Sequence, residues 1–171
     1  MTTVHIRIAT PEDMPALESI AAEMKAQHEP RYFARCLEEQ AAQRRTVLIA
    51  FQGDTALGYV QLNDTPTYTP FRRLSIPEVQ DLNVVPNARR QGIGAALVEH
   101  CENMVRDRGG QDIAISVGLY ARYGAAQRLY ARRGYLPDGA GIAYDDVPVA
   151  AGEMRAVDDL LTLKMIKTFD E

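Results

Sequence analysis

"DLNVVPNARRQGIGAALVEHCENMV", running from Asp81 to Val105, decides how this chain folds. Its opening is apolar and β-branched, as a strand requires, whereas Ile93, Leu97, Cys101, Met104 and Val105 recur at helical spacing. Between them lie two arginines, a glutamine and two glycines, so the stretch reads as a strand-to-helix turn. The first amides of a helix have no partner inside it and carry the positive end of the aligned peptide dipoles, which suits an anion. Gly92 and Gly94 lack a Cβ, which admits unusual dihedrals and lets a ligand approach the backbone. A glycine turn is also an ordinary way to begin a helix. These residues alone leave phosphate binding and plain helix initiation both open.

Working outward, "VHIRIAT" alternates as a first strand, and Thr10 followed by Pro11, Glu12 and Asp13 starts a helix that reaches about Met24. A break at "HEP" precedes a second helical stretch, about Tyr32 to Arg44. "TVLIAFQ" and "TALGYVQLN" flank Gly53 and Asp54, a two-residue hairpin signal. "DTPTYTPFRR" reads as a loop leading into the strand that ends at Val85. Gly109 and Gly110 stop the glycine-turn helix, "DIAISVG" is a strand, and "RYGAAQRLYARRG" is a helix with Ala126, Leu129 and Tyr130 on one face and Gly134 as terminator. "AYDDVPVAAGEMRA" reads as a long polar connection, and in "DDLLTLKMI" Leu161, Leu163 and Met165 alternate with Thr162 and Lys164 as a last strand. With no repeat, low-complexity tract or linker, residues 1–171 are expected to form one mixed α/β domain.

At 171 residues the chain is long enough to bury on the order of 70% of its unfolded surface, so no disulfide or metal staple is needed. Cys36 and Cys101 are far apart, and His5, His28 and His100 are equally scattered, which predicts no metal site. The start has no uninterrupted apolar segment for export, and no later run approaches the roughly 20 apolar residues of a membrane span. The expectation is a reduced, cytoplasmic protein without membrane association. A net charge of -4 argues against general nucleic-acid affinity. That charge is uneven: from Arg89 to Arg133 there are eight arginines against Glu99, Glu102, Asp107 and Asp112, a local +4 that leaves -8 on the remainder. Solvated helix pairs such as Glu102 with Arg106 account for some of these arginines. They do not account for Arg89 and Arg90 at the glycine turn itself.

The order strand, two helices, hairpin, strand, glycine turn and helix, strand, helix, strand resembles the GNAT N-acetyltransferase superfamily over essentially the whole chain. Its acetyl-CoA motif is Gln or Arg, two residues, Gly, one residue, then Gly or Ala, which "RRQGIG" from Arg89 to Gly94 satisfies, with the usual preceding proline as Pro86. A second signature, Ala, two residues, Leu-Tyr, three residues, Gly and an aromatic, is matched by Ala126, Leu129, Tyr130, Gly134 and Tyr135. One departure is Tyr123, where the family often has an asparagine that contacts the cofactor. Competing nucleotide readings lack their marks: there is no Gly-Lys-Ser/Thr, and the glycine spacing misses the dinucleotide fingerprint. The resemblance implies a GNAT-like α/β fold, with a central, mostly antiparallel mixed sheet splayed at the acetyl-CoA site and flanked by helices.

It also implies chemistry. Arg89, Arg90, Gln91, Gly92, Ile93, Gly94 and Ala95 would wrap the pyrophosphate of acetyl-CoA, and Leu82, Asn83 and Val84 would line its pantetheine, with the amide near Val84 polarising the acetyl carbonyl as an oxyanion donor. The acceptor would be a primary amine, attacking directly in a ternary complex. A lysine-like amine is uncharged only about one time in a few thousand at pH 7, so a base is valuable. Two candidates lie on the cofactor strand. Glu78 matches the position six residues before the valine where several family members place a base, and alternation puts it on the face of Leu82 and Val84; Asp81 falls on the other face unless a bulge intervenes. Water alone would suffice for an α-amine of pKa near 8. In the family the Leu-Tyr tyrosine often protonates the leaving thiolate, which here is Tyr130, by proton transfer or by hydrogen bonding. Neither cysteine lies in a nucleophile context. "DTPTYTPFRR" and the acidic "AYDD" to Asp159 region suggest opposite acceptors, so the amine stays unassigned. A homodimer through the final strands is compatible with the fold, and a non-catalytic acyl-CoA-binding module is the alternative function.

Overall fold

The computed structural model describes residues 3–170. They fall into two compact units: residues up to Asn63 together with Val79–Met104, and Asp64–Glu78 together with the chain from Val105.

In the first unit β1 (Val4–Ile8) pairs antiparallel with β2 (Arg45–Gln52), Ile6 opposite Ala50. β2 pairs antiparallel with β3 (Thr55–Asn63), Ile49 opposite Tyr59, across the expected Gly53-Asp54 turn, where Gly53 takes φ +57°. β4 (Glu78–Val84), all but its first residue in this unit, follows β3 in strand order. A 3-10 turn (Pro11–Asp13) leads into α1 (Met14–Glu23), which packs on β3, and α2 (Tyr32–Ala41) packs on β2. Their apolar faces supply Leu17, Ile20, Phe33 and Leu37 to a core that includes Leu48, Ala50, Tyr59 and Leu62. Each of the leucine, isoleucine and phenylalanine side chains contributes about 1.5–3 kcal/mol by leaving water. The N-terminus of the first helix is held by a capping box of Thr10 and Asp13, and Arg7 grips Asp13 with two hydrogen bonds of 2.6 and 2.8 Å.

In the second unit the strand order is β5 (Asp112–Gly118), β8 (Leu161–Thr168), β6 (Leu136–Tyr144) and β7 (Val147–Pro148), every pairing antiparallel. Tyr68, Phe71, Ile76, Ala114 and Ala143 form its core cluster. α3 (Thr69–Arg73), a 3-10 turn (Ala121–Tyr123) and α5 (Gly124–Arg132) complete it. α4 (Ile93–Asp107) has residues in both units.

Three sequence expectations are corrected. "DTPTYTPFRR" is not a loop throughout, because Pro70 sits in the first turn of α3 and Phe71 is buried. The stretch before the polar connection contains the long strand β6, masked in the sequence by Gly139 and Gly141. Both are left-handed, at φ +84° and +81°, where the pairing with β8 jumps from Pro137 opposite Met165 to Ile142 opposite Leu163. The second helix ends at Ala41 rather than Arg44, because left-handed Gln43 donates to Gln40 and Arg44 to Glu39, a Schellman closure.

Candidate active site

The strand-to-helix turn is built as the sequence demanded. After β4 a 3-10 turn (Pro86–Ala88) leads to Arg90 at φ +61° and Gly92 at φ +79°, and α4 begins at Ile93. The first bond onto the new helix runs from the Ala96 amide to the Gly92 carbonyl, 2.9 Å. The six consecutive amides from Arg90 to Ala95 therefore have no hydrogen-bond acceptor among the described residues. Nor does the first turn of α4 contain an acid to offset the helix dipole. Arg89 donates from Nε to the Val84 carbonyl, 3.3 Å, tying the arginine to the end of the strand, while Arg90 and Gln91 are exposed.

The strand ahead of this turn is irregular. Asp81 lies inside β4 at φ +53°, a left-handed residue that marks a bulge and breaks simple alternation. Leu82, Asn83 and Val84 are half-buried, and Gly58 of β3 is pressed against them: a Cβ there would lie 2.6 Å from the Asn83 carbonyl oxygen.

The bulge delivers the Asp81 carboxylate into a polar cluster in the first unit. Oδ2 accepts from the hydroxyls of Tyr32 (2.9 Å) and Tyr59 (3.1 Å) and from Gln61 Nε2 (3.3 Å), while Oδ1 accepts from Asn83 Nδ2 (2.7 Å). Asn83 Nδ2 also reaches the Tyr59 hydroxyl, 3.0 Å. Burial, followed by the charge of Asp81, pushes the phenols of Tyr32 and Tyr59 far above their ordinary range, so both stay protonated and act as donors. His28 completes the cluster. Its Nε2 lies 3.0 Å from Asp81 Oδ2, and its ring stacks on Tyr32 with centroids 3.8 Å apart and planes 6° apart.

Glu78, three residues earlier, lies in the second unit in quite different company. It is buried, accepts a short hydrogen bond from Ser116, and faces the ammonium of Lys164 at 3.7 Å. Lys164 is itself only 2% exposed, donates to Ser116 Oγ at 2.8 Å, pairs with Asp146 and sits 5.0 Å over the Tyr68 ring. Alternation had placed Lys164 opposite the leucines of the last strand; this cluster draws it inward.

Tyr130 is buried on α5, its ring 6.1 Å from that of Tyr135. Tyr123 does not reproduce the amide contact of an asparagine. Its hydroxyl donates to Asp159 Oδ1 at 2.7 Å beside Tyr120 at 2.5 Å, and its ring fills the space where a Cβ on Gly118 would fall, 2.2 Å away. These two phenols hold the Asp159 carboxyl below its usual range. Cys36 is buried, which pushes its thiol up and away from nucleophilic use. No group of three His, Cys, Asp or Glu able to hold a metal ion occurs among the described residues, and no helix there is long and apolar enough to cross a membrane.

The sequence gives no sign of the company Asp81 keeps. His28 stood in a stretch read only as a helix break, and Tyr32, Tyr59 and Gln61 lie 20 or more residues from Asp81. The one local signal was the strand position of Asp81 itself, with the allowance for a bulge.

Comparison with known proteins agrees with this fold. The model of the acetyltransferase (GNAT) family matches residues 14–135. Aminoglycoside N(6')-acetyltransferase type 1 of Klebsiella aerogenes is 36% identical over 87 residues, 50% of this chain and 57% of that protein, so the chain spans only a little over half of this curated relative. Among solved structures, yncA of Salmonella typhimurium with its cofactor acetyl-CoA superposes with a TM-score of 0.71 at 19% identity, covering 99% of this chain and 95% of the other. The PaiA N-acetyltransferase of Thermoplasma acidophilum in complex with coenzyme A gives 0.65 at 16% identity, covering 98% and 99%. At these identities the structures speak for the fold, which is the mixed α/β fold expected. With the family model covering well over half of its residues, the chain belongs to the acetyltransferase (GNAT) family.

Proposed function

We propose that residues 1–171 form one acetyltransferase domain that uses acetyl-CoA to acetylate a primary amine of a small molecule or peptide, by direct attack in a ternary complex. The observation that carries this reading is the array of six unpaired amides from Arg90 to Ala95, opened by left-handed Arg90 and Gly92. A pyrophosphate supplies the acceptors such an array lacks, and Arg89 and Arg90 add positive charge. The relatives solved with acetyl-CoA and coenzyme A support the same cosubstrate here. Leu82, Asn83 and Val84 lead straight into the turn and are the residues proposed to line the pantetheine. For the base, the Asp81 end of β4 has the stronger support. The neighbours of Asp81 other than His28 are neutral, whereas Glu78 is engaged by a buried lysine and a serine. Tyr130 is proposed to donate a hydrogen bond to the departing thiolate. The net charge of -4 supports a small-molecule or peptide acceptor over nucleic acid, in a cytoplasmic protein.

Calorimetric titration with acetyl-CoA tests the reading. One-site binding is expected, weakened at least tenfold, roughly 1.4 kcal/mol, in Gly92→Val, because a β-branched residue resists φ +79° and closes the amide array. Absence of binding at millimolar acetyl-CoA overturns the reading. Binding without CoA release for any amine favours a non-catalytic acyl-CoA-binding module. Tyr130→Phe is expected to lower turnover with acetyl-CoA affinity unchanged; unchanged turnover reduces Tyr130 to packing.

A further inference from the structure

Asp81 is surrounded too completely to take a proton from a substrate amine. Its Oδ2 already receives the hydroxyls of Tyr32 and Tyr59 and the amide of Gln61 and faces the ring nitrogen of His28 at 3.0 Å, and Oδ1 receives Asn83. His28 is the member of the cluster with capacity left. A carboxylate only accepts, so the Nε2 that faces it at 3.0 Å carries a proton. In the neutral ring Nδ1 then holds a bare lone pair. No hydrogen bond to Nδ1 is formed among the described residues, and the side chain is 17% exposed, so solvent reaches it. The ring is also fixed in orientation: parallel stacking on Tyr32 and an edge contact with Phe33, centroids 5.3 Å apart, leave it little freedom.

We propose that His28 is the general base of acetyl transfer and that Asp81 is its positioning residue. The proposal rests on the acetyl-transfer reading above and deepens it. As the amine nitrogen attacks the thioester carbon, a C–N bond forms and the C–S bond breaks. The proton shed by the nitrogen passes to His28 Nδ1, and CoA leaves with the electron pair of the broken bond. Asp81 holds the Nε2–H tautomer and faces the imidazolium that results, a division of labour that an imidazole backed by a buried carboxylate performs well. The titratable and charged groups around this pair are Tyr32 and Cys36 from α2, Tyr59 from β3 and Arg45 from β2, which bonds Gln61 at 2.7 Å.

The test uses the full chain and three probe amines, kanamycin, glycinamide and spermidine, with CoA release followed against pH. His28→Gln is expected to lower kcat/KM by about 100-fold and to flatten the acid limb of the profile, with acetyl-CoA affinity by calorimetry unchanged. Free imidazole is expected to restore turnover to His28→Ala, a rescue that a purely structural role would not show. Asp81→Asn is expected to retain part of the activity. Long-range proton–nitrogen NMR gives a readout that needs no acceptor: His28 should be the Nε2–H tautomer in the wild type and lose that preference in Asp81→Asn. A wild-type Nδ1–H tautomer, or kcat/KM in His28→Gln within threefold of wild type with the same profile, overturns the proposal. A protein that binds no acetyl-CoA but shows the Nε2–H tautomer refutes acetyl transfer while leaving the His28–Asp81 pairing established.

Discussion

Glu78 and Asp81 stand three residues apart on one strand, and their surroundings give them opposite characters. Glu78 is met by a buried ammonium and a serine hydroxyl, and that lysine is shared with Asp146. Asp81 is met by two phenols, two side-chain amides and an imidazole. A carboxylate locked to a buried cation serves the fold, because each charge justifies the burial of the other. One held by neutral donors with a histidine at its edge is free to answer to the histidine's protonation. The residue type is similar in both places, and the neighbours decide the use.

The sharpest way to break this comparison is to remove Lys164. Lys164→Met leaves Glu78 buried without its cation, a situation that costs about 3–5 kcal/mol. The denaturation midpoint should fall accordingly, and adding Glu78→Gln should recover part of the loss, because the second change removes the stranded charge. Asp81→Asn, by contrast, trades neutral hydrogen bonds and should cost only about 1–2 kcal/mol. If Lys164→Met is milder than Asp81→Asn, Glu78 is not a structural charge and returns as a candidate base.

What the sequence disclosed follows a physical line. Among the described residues each of the five α-helices ends in the same way, with a left-handed residue donating back into the last turn: Lys25, Gln43, Ser75, Gly109 and Gly134. The two glycines were legible as stops, since glycine is the residue that adopts this conformation without penalty. Gln43 was not, because nothing in its residue type marks a stop before Arg44. Likewise the acceptor-free amides at the head of α4 were legible, because backbone chemistry follows local conformation and the conformation follows Gly92. The His28–Asp81 contact joins residues 53 positions apart and leaves no local trace. The Asp81 bulge likewise puts positive φ on an aspartate inside an otherwise ordinary strand.

Gly58 tests whether the bulged strand is held as tightly as the comparison requires. A methyl group there would meet the Asn83 carbonyl oxygen at 2.6 Å and Val84 Cγ2 at 3.2 Å, and the nearer atom is backbone. Gly58→Ala must therefore move β4 away from β3, with an overpacking cost of about 2 kcal/mol. Because Asn83 also anchors Asp81 Oδ1, the displacement should lower turnover through the Asp81 cluster, while Lys164 and Glu78 remain paired. Loss of stability with turnover intact would show that the cluster tolerates a shifted strand.

A third carboxylate sets the lower end of the scale. Asp13 is nearly buried and accepts two bonds from Arg7, one from the Thr10 amide and one from the Thr10 hydroxyl, but Arg7 is 39% exposed. The Arg7 hydrogen bonds first, helped by Thr10 and the guanidinium charge, hold the Asp13 carboxyl at about 2 against an ordinary 3.8. A depressed carboxylate contributes stability that is fully present above the unfolded value and disappears as the pH falls through the folded one. The window is therefore pH 4 down to pH 2. The full shift corresponds to about 2 kcal/mol, and solvent screening of the half-exposed guanidinium reduces it to about 1 kcal/mol. The stability difference between wild type and Asp13→Asn should shrink by that amount between pH 4 and pH 2, and should shrink also in 1 M salt, where the screening length falls to about 3 Å. A salt-insensitive difference would mean that the Thr10 cap, and not the Arg7 pair, is what Asp13 contributes.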